Sequence, residues 1–388
     1  MIIPAKRLES VQEYYFSRKL KEVAEMNAQG LDVISLGIGS PDLPPSDATI
    51  ETLCTESHNP TVHGYQPYTG IVELKTAFSK WYKKWYDVDL NPANEILPLI
   101  GSKEGILHAS MALANVGDAV LVPNPGYPTY SSLSKLLGLE VINYNLTEAN
   151  GWLPNFDELE QMDLSRVKIM WTNYPNMPTG TNASIEIYEK LVDFARRKNI
   201  VVINDNPYSF ILNDNPTSIL SIAGAKDYCI EFNSLSKSHN MPGWRVGMIA
   251  ANATFISWIL KVKSNIDSGM FRPLQLAAAQ ALECGADWYD NNNKTYRQRR
   301  KIAEEIMTIL SCTFNPNQVG MFLWGKIPES CENVETLTEK ILHEARVFIT
   351  PGFIFGSNGE RYIRISLCAN EDKLNEAKNR IEKIIIKK

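Results

Sequence analysis

From about residue 95 the chain alternates short apolar runs with longer amphipathic stretches, the pattern of a parallel sheet covered by helices. The runs are EILPLI (95–100), DAVLVP (118–123), EVINYN (140–145), KIMWTNYP (168–175), IVVIND (200–205), CIEFNS (229–234) and VGMIAA (246–251). They predict a large α/β domain whose seven-stranded, mostly parallel sheet lies between helices. Among the intervening stretches, SIEIYEKLVDFARRKN sets Ile187, Leu191, Phe194 and Ala195 on one helical face and ends in basic residues that suit a helix C-terminus. After about residue 275 the pattern changes to a long polar helix from Trp288 to Leu310, the runs MFLWGKI, VFITPG and RYIRISL, and a closing helix KLNEAKNRIEKIII. This predicts a smaller α+β domain. The first 45 residues offer one helix and the run DVISLGIGSPDLPP, too little for a core of their own, so they are expected to pack onto the C-terminal part. The expected division is residues 46–275 for the large domain, and 1–45 with 276–388 for the small one.

Composition narrows the class without changing this picture. The 388 residues are 44% hydrophobic and 21% charged, and the net charge of -5 with scattered basic residues gives no footprint for a nucleic-acid backbone. Cysteines 54, 229, 284, 312, 331 and 368 stand far apart, without the paired spacing of a zinc site or a disulfide framework. The start MIIPAKRLESVQEYYF lacks the apolar core of a signal peptide, and no apolar run is long enough to span a membrane. A cytoplasmic protein with a metabolite-sized partner is expected.

In an open α/β sheet, ligands bind beyond the carboxyl ends of the strands. After EILPLI comes GSKEGILHASMALANVG, where Ser102 and Lys103 open a helix whose backbone N–H groups suit a phosphate. After DAVLVP comes NPGYPTY with Tyr127; after KIMWTNYP, NMPTG; after IVVIND, Asp205 and then Tyr208. After CIEFNS come Ser234, Ser236, Lys237 and, past a Pro-Gly turn, Arg245. Each feature alone is ordinary loop chemistry. Together they supply a phosphate cup, an anion for a ring nitrogen, a hydroxyl for a phenolic oxygen, a ring to stack on and an amine to trap an aldehyde, which describes a site for pyridoxal 5'-phosphate.

The ordered strings ISLGIGSPD, HGYQPYTG, GSKEG, PNPGYPTY, NYPNMPTG, NDNPY, SLSKSHNMPGWRVG, KSNIDSG and RYIRISL resemble the class I aminotransferases of pyridoxal-phosphate fold type I. IGSKEGI, IEFNSLSK and KSNIDSG are most similar to the LL-diaminopimelate and alanine/aspartate branch. The resemblance implies that Lys237 forms the internal aldimine and moves the proton between substrate and cofactor. By the same resemblance Asp205 keeps the ring nitrogen protonated, Tyr208 serves the phenolic oxygen and Tyr127 stacks on the ring. Ser102, Lys103 (through backbone amides), Ser234, Ser236 and Arg245 hold the phosphate, with Tyr65 reaching it from the other subunit of a homodimer. Arg364 grips the substrate α-carboxylate, and Gly39 lets backbone approach it.

One position departs from the family pattern. Met177 stands immediately before PTG, where an asparagine is usual, and a thioether has no N–H to donate. Either Asn176 or Asn173 supplies the amide from a nearby position, or the site works without it and leaves Tyr208 alone on the phenolic oxygen. Transfer of an amino group between an amino acid and a 2-oxo acid is the expected reaction. A carbon–sulfur β-lyase on the same scaffold and a non-catalytic cofactor-binding regulator are the alternatives. Arg272, near KSNIDSGMF, is open to either a pocket or an interface role.

Overall fold

The computed structural model describes residues 2–10 and 15–386. A two-residue strand, β1 (Ile34–Ser35), precedes the large sheet. All seven apolar runs then become strands: β2 (Ile96–Leu99), β3 (Ala119–Asn124), β4 (Glu140–Asn145), β5 (Val167–Thr172), β6 (Val201–Asp205), β7 (Cys229–Ser234) and β8 (Gly247–Ala250). Their order is β2-β8-β7-β6-β5-β3-β4. β3 to β7 run parallel, and β8 is antiparallel to both neighbours. Residues 235–246 hold a single helical turn, Leu235–Ser238, and then return the chain, so β8 lies antiparallel beside β7.

Side chains alternate between two cores. Leu97, Val120, Val122, Ile169, Trp171, Ile203, Phe232 and Ile249 pack on one face, and Ile96, Ala119, Leu121, Met170, Val202, Cys229 and Met248 on the other. Burial on both faces is why the strands read as nearly continuous apolar runs. The parallel strands all deliver their carboxyl ends to one edge.

The rest of the fold brings the two ends of the chain to that edge. β9 (Phe322–Lys326), β11 (Thr350–Pro351) and β12 (Tyr362–Ser366) form an antiparallel sheet, while β10 (Val347–Phe348) pairs in parallel with β1, Ile34 opposite Val347. The run VFITPG is therefore divided: Ile349 separates two strands that join different sheets. Arg299, buried in the helix Ala286–Ile309, clamps both oxygens of Asp42 at 2.6 and 2.9 Å and so fixes the segment after β1.

In the helix Ile185–Lys198 the core stripe is Tyr188, Leu191, Val192, Phe194 and Ala195. Ile187, expected in that stripe, is only partly buried, because the face is centred one residue further on. All six cysteines are free thiols. Among the described residues no helix is long and apolar enough to cross a membrane.

Candidate active site

A cavity of about 510 Å³ opens at the carboxyl edge of the large sheet. It gathers Gly39, Ser102, Lys103, Tyr127, Asp205, Tyr208, Ser234, Ser236, Lys237, Arg245 and Arg364, all singled out from the sequence. Lys237 stands in the single turn Leu235–Ser238 directly after β7, so the parallel strand itself aims the amine. Its Nζ donates to the carbonyl of Gly39. A Cβ at Gly39 would lie 2.3 Å from the Phe322 ring, so only glycine lets this backbone come so close.

Burial pushes the Lys237 amine below the ordinary lysine value, and the nearby Arg364 and Arg245 charges push it the same way. Cys368 would oppose this only as a thiolate, and burial raises its thiol, so Asp205 is the effective counterweight at neutral pH.

Asp205, at the end of β6, is 6% exposed. Its Oδ2 accepts the Tyr130 hydroxyl at 2.9 Å. Its Oδ1 is buried with no hydrogen-bond partner among the described residues. Tyr130 stacks flat on Trp171 at 5.0 Å and meets Tyr127 edge-on at 5.5 Å, so one aromatic pile carries both the ring facing the cavity and the hydroxyl that orients the carboxylate. Tyr130 was not singled out from the sequence. The only signal was a second tyrosine one helical turn after Tyr127.

Burial pushes Asp205 up to about 6, against the Tyr130 hydrogen bond and the Lys237 charge. The folded chain keeps a proton that the unfolded chain releases near 3.8. The stabilisation is therefore complete below the unfolded value and is lost as pH rises through about 6. For the chain alone this amounts to about 3 kcal/mol. Asp205→Asn is expected to remove it. Urea midpoints of wild type and variant, measured on both sides of that window, should differ in their pH dependence with this sign. Parallel dependences would show that Asp205 titrates normally.

At the other end of the cavity, Gly101 caps the helix Ser102–Leu113 with φ +79°, and a Cβ there would lie 2.1 Å from Arg245 Nη2. The guanidinium thus rests on bare backbone beside the helix start, its Nη1 donating to the Pro242 carbonyl at 2.9 Å. Ser102, Ser234, Ser236 and Arg245 together make a cup suited to a phosphate. Lys103 contributes from an exposed position.

Arg364 is held on four sides. Nη2 donates to the Gly37 carbonyl at 2.7 Å and Nη1 to Met177 Sδ at 3.1 Å, while Phe322 and Phe355 lie 4.0 and 4.6 Å from the guanidinium carbon. The position that departs from the family pattern therefore touches the arginine expected to hold the carboxylate.

One residue expected in this cavity, Asn176, lies outside it, as do Tyr65, expected to serve the other subunit, and Arg272, whose role was open. Asn176 does not reach the cavity: its Oδ1 takes the Thr179 N–H and hydroxyl, closing the Pro-Thr-Gly turn. The amide on the cavity wall is Asn173, whose Nδ2 donates to the Asp205 carbonyl at 2.6 Å and whose Oδ1 accepts the Met177 N–H at 2.9 Å. Tyr65 is 93% exposed and lines a separate groove with His63, Gln66 and Phe271. Arg272 pairs with Glu73 at 2.6 Å, outside the cavity. Phe16, Phe322, Ile354 and Phe355, which add apolar wall near Arg364, carried no sequence motif.

The aminotransferase class I and II family matches residues 31–381. Curated relatives include LL-diaminopimelate aminotransferases of Dehalococcoides mccartyi, 41% identical with 96% of each chain covered, and of Maridesulfovibrio salexigens, 41% identical with 98% of each covered. Among solved structures, substrate-bound BacF from Bacillus subtilis superimposes with a TM-score of 0.93 at 35% identity, covering 99% of this chain and 98% of that one. Aspartate aminotransferase from Thermotoga maritima gives 0.90 at 26%, covering 99% and 100%. With its motifs in order along the whole chain and its polar groups in one cavity, the protein belongs to the class I and II aminotransferases, pyridoxal-phosphate-dependent enzymes that move an amino group between an amino acid and a 2-oxo acid.

Proposed function

We propose that the cavity is where this chain carries out that transfer, with Lys237 as the group that moves the proton. The observation that supports it most is the meeting of a buried lysine amine and a sealed, unpartnered Asp205 oxygen in one cavity with Arg364. Pyridoxal phosphate fits this set: its ring nitrogen would supply the donor Asp205 Oδ1 lacks, and its phosphate would suit the serines and Arg245. When bound, it supplies an electron sink for the carbanion formed at the substrate. The chain's own part is to orient and to handle protons. Asp205 would fix the ring-nitrogen proton, Tyr208 and Asn173 would serve the phenolic oxygen, and Arg364 would grip the carboxylate with Gly39 beside it. Lys237, whose amine burial pushes below the ordinary lysine value, would take and return the proton.

Two copies are proposed to work together, because Tyr65 is exposed and lies outside its own chain's cavity, placed to serve a second chain. Mixing Lys237→Ala with Tyr65→Phe subunits should yield some hybrid dimers with one intact site and recover activity; no recovery counts against a shared site. The division into residues 46–275 and 1–45 with 276–388 belongs to the same reading, supported by the pairing of β1 with β10. So does a reducing cytoplasm, which suits six free thiols.

LL-diaminopimelate is the first proposed donor, on the strength of relatives at about 40% identity along the whole chain. An aromatic donor is the second reading, favoured by the Phe16, Phe322, Ile354 and Phe355 wall. A panel of donors with 2-oxoglutarate and pyruvate as acceptors decides between them. Release of pyruvate and ammonia without any acceptor would overturn transamination.

Met177→Asn is expected to lower the pH midpoint of the bound cofactor's absorbance by about one unit, since an amide can donate where a thioether cannot. The Michaelis constant should fall with it, because Arg364 Nη1 is then released from sulfur. An unchanged midpoint would show that Asn173 already does this work.

A further inference from the structure

Behind the phosphate cup, between the helix Ser102–Leu113 and the segment after the helix Ala253–Lys263, a second cluster of polar groups gathers around a fully buried histidine, with two partly buried carboxylates. His108 is 0% exposed, and neither ring nitrogen has a hydrogen-bond partner among the described residues. Its Nε2 lies 3.9 Å from Glu104 Oε1, one helical turn earlier. Asp267 comes from the facing segment, and one ligand atom from each of the three residues falls within 4.8 Å of the other two. Asp267 Oδ1 is occupied, accepting from Lys263 Nζ at 2.7 Å and from the Gly269 N–H at 2.8 Å. Asp267 Oδ2 is buried and unpartnered among the described residues.

The arrangement is asymmetric in a way that points to a cation. Lys263 meets only one oxygen of Asp267, and the Arg245 charge also reaches Glu104. The lone pairs left over converge from three directions, on a ring nitrogen and two carboxylates. Sealed polar atoms of this kind cost about 1–3 kcal/mol each when nothing meets them. A water could donate to two of them. A divalent ion meets all three while leaving Lys263 on the other oxygen of Asp267. One nitrogen with two carboxylates suits zinc among the common ions. The ligands are also braced from behind: Glu104 Oε1 accepts the Ile100 N–H at 2.7 Å, and Lys263 and Gly269 hold Asp267.

We propose that Glu104, His108 and Asp267 form a structural binding site for a divalent cation of the zinc type. The ion would pin the helix whose first turn carries Ser102 and Lys103 to the segment running on through Gly269 and Phe271. That segment in turn packs on the one bearing Tyr65: the His63 ring stacks on Phe271 at 5.9 Å, and a Cβ at Gly269 would lie 2.6 Å from the Gln66 carbonyl. The site would thus brace both elements expected at the phosphate.

The test uses holoenzyme stripped with a chelator and dialysed against zinc buffered by nitrilotriacetate, with metal counted by mass spectrometry. Wild type should keep one zinc per chain and melt at a higher temperature with zinc than without. His108→Gln and Glu104→Gln should each bind at least about tenfold more weakly and lose the zinc-dependent rise in melting temperature. Two variants, each checked for cofactor absorbance, guard against a folding defect in one. Wild type that retains no zinc overturns the proposal in favour of ordered water. So does zinc retained by both variants and lost only in His343→Gln, which would place the ion in the surface group Glu22, Glu339 and His343.

Discussion

Lys237→Ala should abolish amino transfer, with a loss of at least about 10⁴-fold in turnover. The size follows from the two duties proposed for one amine: holding the cofactor covalently and moving the proton. No neighbour can take over, because the other amine on the cavity wall, Lys103, is exposed and opens the helix at the opposite end. The variant should still fold, since removing a buried amine whose one hydrogen bond among the described residues is to the Gly39 carbonyl relieves burial cost and leaves one acceptor unmet. Initial rates settle the first claim. Hydride reduction followed by intact-mass measurement settles the second: wild type should gain one cofactor per chain and the variant none. A variant that keeps more than about one part in a thousand of the rate would assign the proton to another group.

The second large effect is expected at Arg364. Its guanidinium lies against the Phe322 and Phe355 rings and is oriented by the Gly37 carbonyl and Met177 sulfur, which hold it in a fixed attitude on the cavity wall. A lysine cannot reproduce a stacked, two-pronged contact. Arg364→Lys should therefore lower kcat/KM about 10²-fold and Arg364→Leu about 10³-fold, mostly through KM for both amino and 2-oxo acids. If KM for both substrates stays the same while kcat falls, the carboxylate is held elsewhere.

The strands were legible because a sheet buried on both faces leaves an unmistakable trace, and their carboxyl ends told where chemistry would gather. Lys237 and Asp205 were readable for that reason: each stands on or just after a strand, so position along the chain translates directly into position in space. Asn173 and Asn176 were not separable, since both lie in an irregular loop. Which one faces the cavity is decided by hydrogen bonds to the Asp205 carbonyl and to Thr179. Tyr130 escaped because its partner lies 75 residues away and is brought near only by the order of strands across the sheet. The phenylalanines around Arg364 depend on how the small sheet folds over the large one. Nothing in local sequence carries that information.

The pairing of Ile34 with Val347 also has a consequence for how the molecule comes into being. As the chain leaves the ribosome, the segment around Gly39 must wait for almost the whole protein to be made before β10 and Arg364 exist to receive it. The sheet from residue 96 to 250 can form meanwhile, but its carboxyl edge stays unroofed. Closing so long a loop is slow and leaves apolar surface bare in the interval. Until β10 and β12 have emerged and docked, a chaperone or the cofactor itself would meet this protein as an open sheet with a loose leading strand.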